Sequence, residues 1–97
     1  MDRTLGEYRS SIDNIDAAVV LLLAERFKVT KQVGAHKASV GLPSADPERE
    51  RQQITRLREV AASAGLDPAF SEDFLRLVIN EVRKQHELAR GGDAADG

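Results

Sequence analysis

Ninety-seven residues with a formal net charge of −2 allow one small domain and argue against a nonspecific nucleic-acid binder. Cysteine and tryptophan are absent and histidine occurs only twice. That removes disulfides, thiolate chemistry, a histidine-rich metal site and stacked-base recognition of single strands. No apolar run reaches transmembrane length, and the segment Met1 to Tyr8 lacks the apolar core of a secretory signal. Charged residues make up 31% of the chain, so a soluble, cytoplasmic helical bundle is expected.

The first predicted element runs from Leu5 to about Val40. Ile12, Ile15, Val19, Leu22, Leu23, Phe27, Val33 and Val40 recur close to a helical period, and no proline interrupts them. Gly34 is the one strong breaker inside, costing about 1 kcal/mol against alanine. At 1.5 Å per residue such a helix is roughly 54 Å long. A compact monomer of this length would be only about 35 Å across. The helix therefore has to project, and its apolar stripe is expected to find a second copy of the chain.

Gly41 ends the first helix, and Leu42-Pro43-Ser44-Ala45 is a short connection. Asp46-Pro47-Glu48 then combines an aspartate N-cap, a proline at the first helical position and an acid in the first turn. A second helix is predicted over 47–63, with Ile54, Leu57, Val60 and Ala61 on its apolar face and Gly65 as its cap. Asp67-Pro68 repeats the start signal. A third helix is predicted over 68–90, with Phe70, Phe74, Leu75, Leu77, Val78, Ile79 and Val82 as its apolar body. Gly91-Gly92 is expected to stop it and to leave 91–97 as a disordered tail after a 1–90 helical domain. The expected fold is all-α, with one long and two shorter helices per chain.

Arg26 follows a wholly apolar and small run, Ala17 to Ala24, and Lys37 lies eleven residues further on. Eleven helical residues return to within about 20° of the same face, so the two cations point the same way, roughly 16 Å apart. Arg9 is about 100° round the helix from Arg26 and roughly 25 Å away. On a straight helix the two arginines cannot grip one small molecule; Arg9 could reach a ligand held by an antiparallel partner. Asp46, Arg49 and Glu50 share one side of the second helix. Val78, Val82 and His86 form a stripe at four-residue spacing on the third. Taken singly, each has a bland reading: rim cations, an N-cap, an exposed ion pair, a histidine favouring a helix C-terminus.

Taken in order, these residues resemble a family. Tyr8-Arg9-Ser10-Ser11-Ile12-Asp13-Asn14-Ile15-Asp16, Leu22-Leu23-Ala24-Glu25-Arg26, Val33-Gly34-Ala35-His36-Lys37 and Asp46-Pro47-Glu48-Arg49-Glu50 together look like an all-helical, AroQ-class chorismate mutase. The resemblance covers Leu5 to about Glu87. It implies an intertwined homodimer whose long first helices span both subunits. It implies the Claisen rearrangement of chorismate to prephenate, a unimolecular reaction with no nucleophile, general base, metal or cofactor. Such an enzyme holds a dianion in a compact chair-like conformer and stabilises charge growing on the ether oxygen.

By similarity, Arg26 binds one substrate carboxylate through its bidentate fork, and Arg9 binds a carboxylate in the neighbouring subunit's site. Lys37 touches the ether oxygen and a carboxylate. Arg49, with the helix start around Asp46, holds the ring end, and Glu50 accepts a hydrogen bond from the ring hydroxyl. Val33, Val78 and Ile79 form the apolar wall. Val82 stands where many members carry a serine that contacts a carboxylate, and His86 where they carry a glutamine that donates to the ether oxygen. The four-residue stripe aligns His86 rather than its neighbour Gln85. An imidazole donates one hydrogen bond when neutral and a charged one when protonated, so catalysis is expected to strengthen as His86 protonates.

Three alternatives stay open at this point. The same scaffold serves mutases of 4-amino-4-deoxychorismate and isochorismate-pyruvate lyases. A non-catalytic helical dimerisation module would explain the long stripe. A weak mutase boosted by docking to another shikimate-pathway enzyme would explain both. No dehydratase, dehydrogenase or effector domain is expected within the chain.

Overall fold

The computed structural model describes the backbone of residues 3–96 and the side chains of residues 3–89. Three helices follow one another: α1 (Leu5–Ser39), α2 (Pro47–Ala64) and α3 (Pro68–Asp96). Among the described residues there is no strand, and no helix is long and apolar enough to cross a membrane.

Local chemistry sets each boundary. Thr4 caps α1 in a reciprocal capping box: Glu7 N donates to Thr4 Oγ1 at 3.2 Å, and Thr4 N donates to Glu7 Oε2 at 3.4 Å. At its other end Leu42 N reaches Lys37 O at 2.8 Å and Gly41 N reaches Ala38 O at 3.4 Å, a Schellman pattern that Gly41 permits with φ 74°. Asp46 caps α2, accepting from Arg49 N at 3.1 Å. Gly65 closes α2 at φ 79° with the same double bond pattern, Leu66 N to Ala61 O and Gly65 N to Ala62 O. Asp67 Oδ1 accepts from Ala69 N at 3.0 Å at the start of α3.

The third helix continues past Gly91-Gly92 to Asp96, where the sequence predicted a stop at 90. A helical glycine costs about 1 kcal/mol each, a penalty rather than a prohibition, and no proline follows to forbid continuation. Gly97, the end of the expected tail, lies outside the described residues.

The short loop after Gly65 turns α3 back along α2. The core they share is small: Ala61 from α2, and Ser71, Leu75, Val78 and Ile79 from α3 are buried. The α3 members fall at i, i+4, i+7 and i+8, one helical face. Ser71 keeps its hydroxyl satisfied by donating to Leu57 O at 3.4 Å. Two cross-helix ion pairs flank this core. Arg58 meets Glu72 at 2.7 Å, and Arg83 meets Glu50. Arg76 adds a 3.0 Å pair to the same Glu72. Hydrogen bonding from Arg76, and then from Arg58, holds the Glu72 carboxyl below its usual range against the opposing pull of burial.

Helix α1 packs against α3 alone and has no buried residue. The chain measures 63 × 29 × 18 Å with a radius of gyration of 17.7 Å, well beyond the roughly 13 Å of a compact domain of this size. As its length predicts, α1 outreaches its own globule. Ile12, Ile15, Val19, Val20, Leu21 and Leu22 all stand exposed, Leu21 and Leu22 at 70%. A contiguous apolar run of this extent is a surface that demands cover.

Candidate active site

One stripe of α1 is half-buried: Leu23, Arg26, Phe27, Thr30, Gly34 and Lys37. Their three- and four-residue spacing is that of a single helix face. It turns Arg26 and Lys37 inward together, as the eleven-residue spacing predicted.

This face closes one side of a cavity of about 700 Å³. Arg26, Val29, Thr30, Val33 and Lys37 come from α1, and Ser44, Ala45 and the capping Asp46 from the connection. Arg49, Glu50 and Gln53 come from α2, and Ile79, Val82, Arg83, His86 and Glu87 from α3. The volume lies within the usual range for a small-molecule site, roughly 300–1,000 Å³. A shallower depression on the outer side of α2, between Glu48 and Glu59, gathers no comparable set of cations.

The cavity holds Arg26, Lys37, Arg49 and Arg83 together with Asp46, Glu50 and Glu87. Arg83 pairs with Glu50, whereas Arg26, Lys37 and Arg49 make no ion pair among the described residues. Arg26 Nη1 is shielded from solvent and has no hydrogen-bond partner. An orphaned buried donor of this kind costs about 1–3 kcal/mol, or more for a charged group. An anion placed in the cavity would remove that cost. His86 Nε2 is also buried without a partner. It lies on the backbone of Gly34: a methyl group built on Gly34 would sit 2.9 Å from Nε2 and 3.1 Å from Cε1. The absence of a side chain at Gly34 is thus what leaves room for the imidazole, which lines the cavity from α3.

The site residues expected from the sequence divide as follows. Arg26, Lys37, Asp46, Arg49, Glu50, Val82 and His86 line one cavity, as do Val33 and Ile79. Arg26, Lys37 and Arg49 converge on this cavity instead of diverging into solvent, an arrangement a purely structural dimerisation module would gain nothing from. Arg9 stands exposed on the N-terminal half of α1 and does not line the cavity of its own chain. Val78, expected in the wall, is buried in the core between α2 and α3 and does not line the cavity. Gln85 faces outward and donates to Glu81 Oε1 at 3.5 Å, whereas His86 lines the cavity. Sequence reasoning missed Thr30, Gln53, Glu87 and above all Arg83. The last takes one oxygen of Glu50, a residue expected to be free for a ligand.

Together these features define a class: an all-helical scaffold that gathers Arg26, Lys37 and Arg49, unpaired among the described residues, on one cavity of small-molecule size. The sequence pattern of the type II chorismate mutases matches residues 8–87, and the chain belongs to that family. It is 33% identical over 89 residues to the chorismate mutase of Methanocaldococcus jannaschii, covering 89% of this chain and 90% of that enzyme. It is 40% identical over 77 residues to the T-protein of Enterobacter agglomerans, covering 79% of this chain and 21% of that protein. The chain thus spans about a fifth of the T-proteins it matches. A 4-amino-4-deoxychorismate mutase of Streptomyces pristinaespiralis is 28% identical over 90 residues, covering 91% of this chain and 70% of that enzyme.

Proposed function

We propose that this chain is a cytoplasmic enzyme that rearranges chorismate to prephenate. The observation that carries the reading is the convergence of Arg26, Lys37 and Arg49, in no ion pair among the described residues, on one cavity where Arg26 Nη1 lacks a partner. Family membership supports it. The reaction makes one carbon–carbon bond as it breaks one carbon–oxygen bond, in one step and within one molecule. No proton, electron or leaving group has to be carried away. What remains for the protein is to select a folded conformer and to stabilise charge on the departing ether oxygen.

In this reading Arg26 clamps one carboxylate of the substrate. Lys37 reaches the ether oxygen and a carboxylate, and His86 donates to the same oxygen. Arg49 and the capped turn at Asp46 hold the ring end, and Glu50 accepts from the ring substituent through the oxygen that Arg83 leaves open. Val33, Ile79 and Val82 exclude water. The remaining carboxylate contact comes from Arg9 of a second copy, because the exposed stripe of α1 is covered by the α1 of a partner in an intertwined homodimer. Length and exposure of that helix support this assembly.

Purified protein mixed with chorismate should consume it, as followed by ultraviolet absorbance, with prephenate as the identified product. Replacing Lys37 with alanine should lower kcat about 10²- to 10³-fold, the usual loss for one preorganised charge stabiliser. Activity within tenfold of the parent would refute the assignment. Running isochorismate and 4-amino-4-deoxychorismate beside chorismate distinguishes the three substrates. Adding a shikimate-pathway enzyme and remeasuring kcat tests whether docking raises it.

A further inference from the structure

The least expected lining residue of the cavity is Arg83. Its guanidinium is held on two sides. Nη1 donates to Asn80 Oδ1 at 3.3 Å, one turn back on α3, and Nη2 donates across to Glu50 Oε1 on α2. Glu50 is the more enclosed partner, with its side chain 26% exposed against 53% for Arg83. Oε1 is therefore committed. Among the described residues no donor reaches Glu50 Oε2, so one lone-pair-bearing oxygen remains for a ligand.

The pairing changes the character of this acceptor. An unpaired carboxylate in a half-enclosed cavity attracts a cation more strongly than it attracts a hydroxyl. A carboxylate already matched by a guanidinium still accepts a hydrogen bond, but its field at the ligand is largely cancelled. The guanidinium itself repels a positive ligand group at the same place. Hydroxyl and ammonium are similar in size, so shape alone separates them poorly and local charge has to do it.

We propose that Arg83 is a specificity-determining residue: by engaging Glu50 it tunes the cavity toward a ring that carries a neutral hydroxyl and against one that carries an ammonium in the same position. The inference rests on the reading above, in which Glu50 faces the ring substituent. Arg83 acts on the substrate through Glu50.

The test compares kcat/KM for chorismate with kcat/KM for 4-amino-4-deoxychorismate in the parent and in Arg83→Met, which keeps the aliphatic stem and removes the charge. One charge removed from the immediate surroundings of the substituent should shift the ratio of the two values about tenfold toward the amino substrate. Arg83→Lys should restore most of the parental ratio. Arg83 also ties α2 to α3, so Glu72→Gln serves as the structural control. It weakens the other ion pair between these helices, and Glu72 does not line the cavity. Glu72→Gln should leave the ratio as it is in the parent. A ratio in Arg83→Met within twofold of the parent overturns the inference, and so does an equal shift in Glu72→Gln. If the parent turns over chorismate, either result refutes the role of Arg83 alone. A parent that turns over neither substrate refutes the proposed function and the role of Arg83 with it.

Discussion

Gly34→Ala separates the fold from the chemistry. The added methyl would lie 2.9 Å from His86 Nε2, 3.1 Å from Cε1 and 3.5 Å from Cδ2. Ordinary contact begins at about 3.5 Å, so the imidazole has to withdraw by roughly 0.5–1 Å. The obstacle is the tip of a side chain, not backbone, and His86 faces an open cavity into which the ring can turn. The fold should therefore tolerate the change. Alanine at a helical site recovers about 1 kcal/mol of propensity, which offsets much of the strain. The ring, however, no longer sits where Gly34 allows it to sit. A displacement of about 1 Å in a catalytic donor can cost 10²-fold. Thermal unfolding of Gly34→Ala should thus stay near that of the parent while kcat falls by up to about 10²-fold and KM moves little. A double-mutant cycle gives the decisive reading. In a His86→Ala background, Gly34→Ala should cost almost nothing more, because the two changes act on the same group. Full additivity, or an unchanged kcat in Gly34→Ala alone, would refute the idea that Gly34 matters through His86.

Three further outcomes follow from the same geometry. If Arg9 completes the partner's site, Arg9→Ala and Arg26→Ala should each be nearly inactive, yet subunit exchange between them should recover about a quarter of the parental activity, since random pairing of a symmetric dimer restores one site in half of the molecules. No recovery on mixing, despite exchange verified by mass spectrometry, would count against a shared site. Glu72→Gln should lower the unfolding temperature at neutral pH. The folded carboxyl titrates below the ordinary glutamate range, because Arg76 and Arg58 hydrogen-bond its charged form, so its contribution is full above that range and fades as pH falls through the lowered value. The gap to the parent should therefore close in strong acid, and a gap constant down to pH 2 would contradict it. Thr4→Ala removes the capping acceptor of α1 and should cost about 1 kcal/mol in chemical denaturation.

The helices and their limits were largely legible because the signals are local. Aspartate before proline marked the starts of α2 and α3, and Gly41 and Gly65 marked the two sharp ends, where a positive φ is required. The capping box at Thr4 and Glu7 was equally local, and a threonine three residues before a glutamate would have revealed it. The end of α3 misled because Gly91-Gly92 lowers helix propensity without imposing a turn. The α1 cations were legible from angle alone, because eleven residues bring a helix back to the same face. Val78 was misplaced for a related reason. A four-residue stripe fixes a direction within about a quarter turn, and Val78 lies where that direction still meets α2 rather than the cavity. Arg83 and Glu50 are 33 positions apart on different helices, and no periodicity links them.

Gly34 shows how far a single position can carry two incompatible signals. Read as helix propensity, it is a weakness in the longest element of the chain. Read as packing, it is a point where the His86 side chain of α3 occupies the space a Cβ would take, and any larger residue would displace a ring that lines the cavity. The local cost in propensity, about 1 kcal/mol, is tolerable because α1 gains its order from packing rather than from propensity. Yet α1 buries no residue within its own chain. In the proposed dimer the same helix draws its stability from the partner and sets the place of His86 through its glycine, and the two requirements meet within three residues of Lys37.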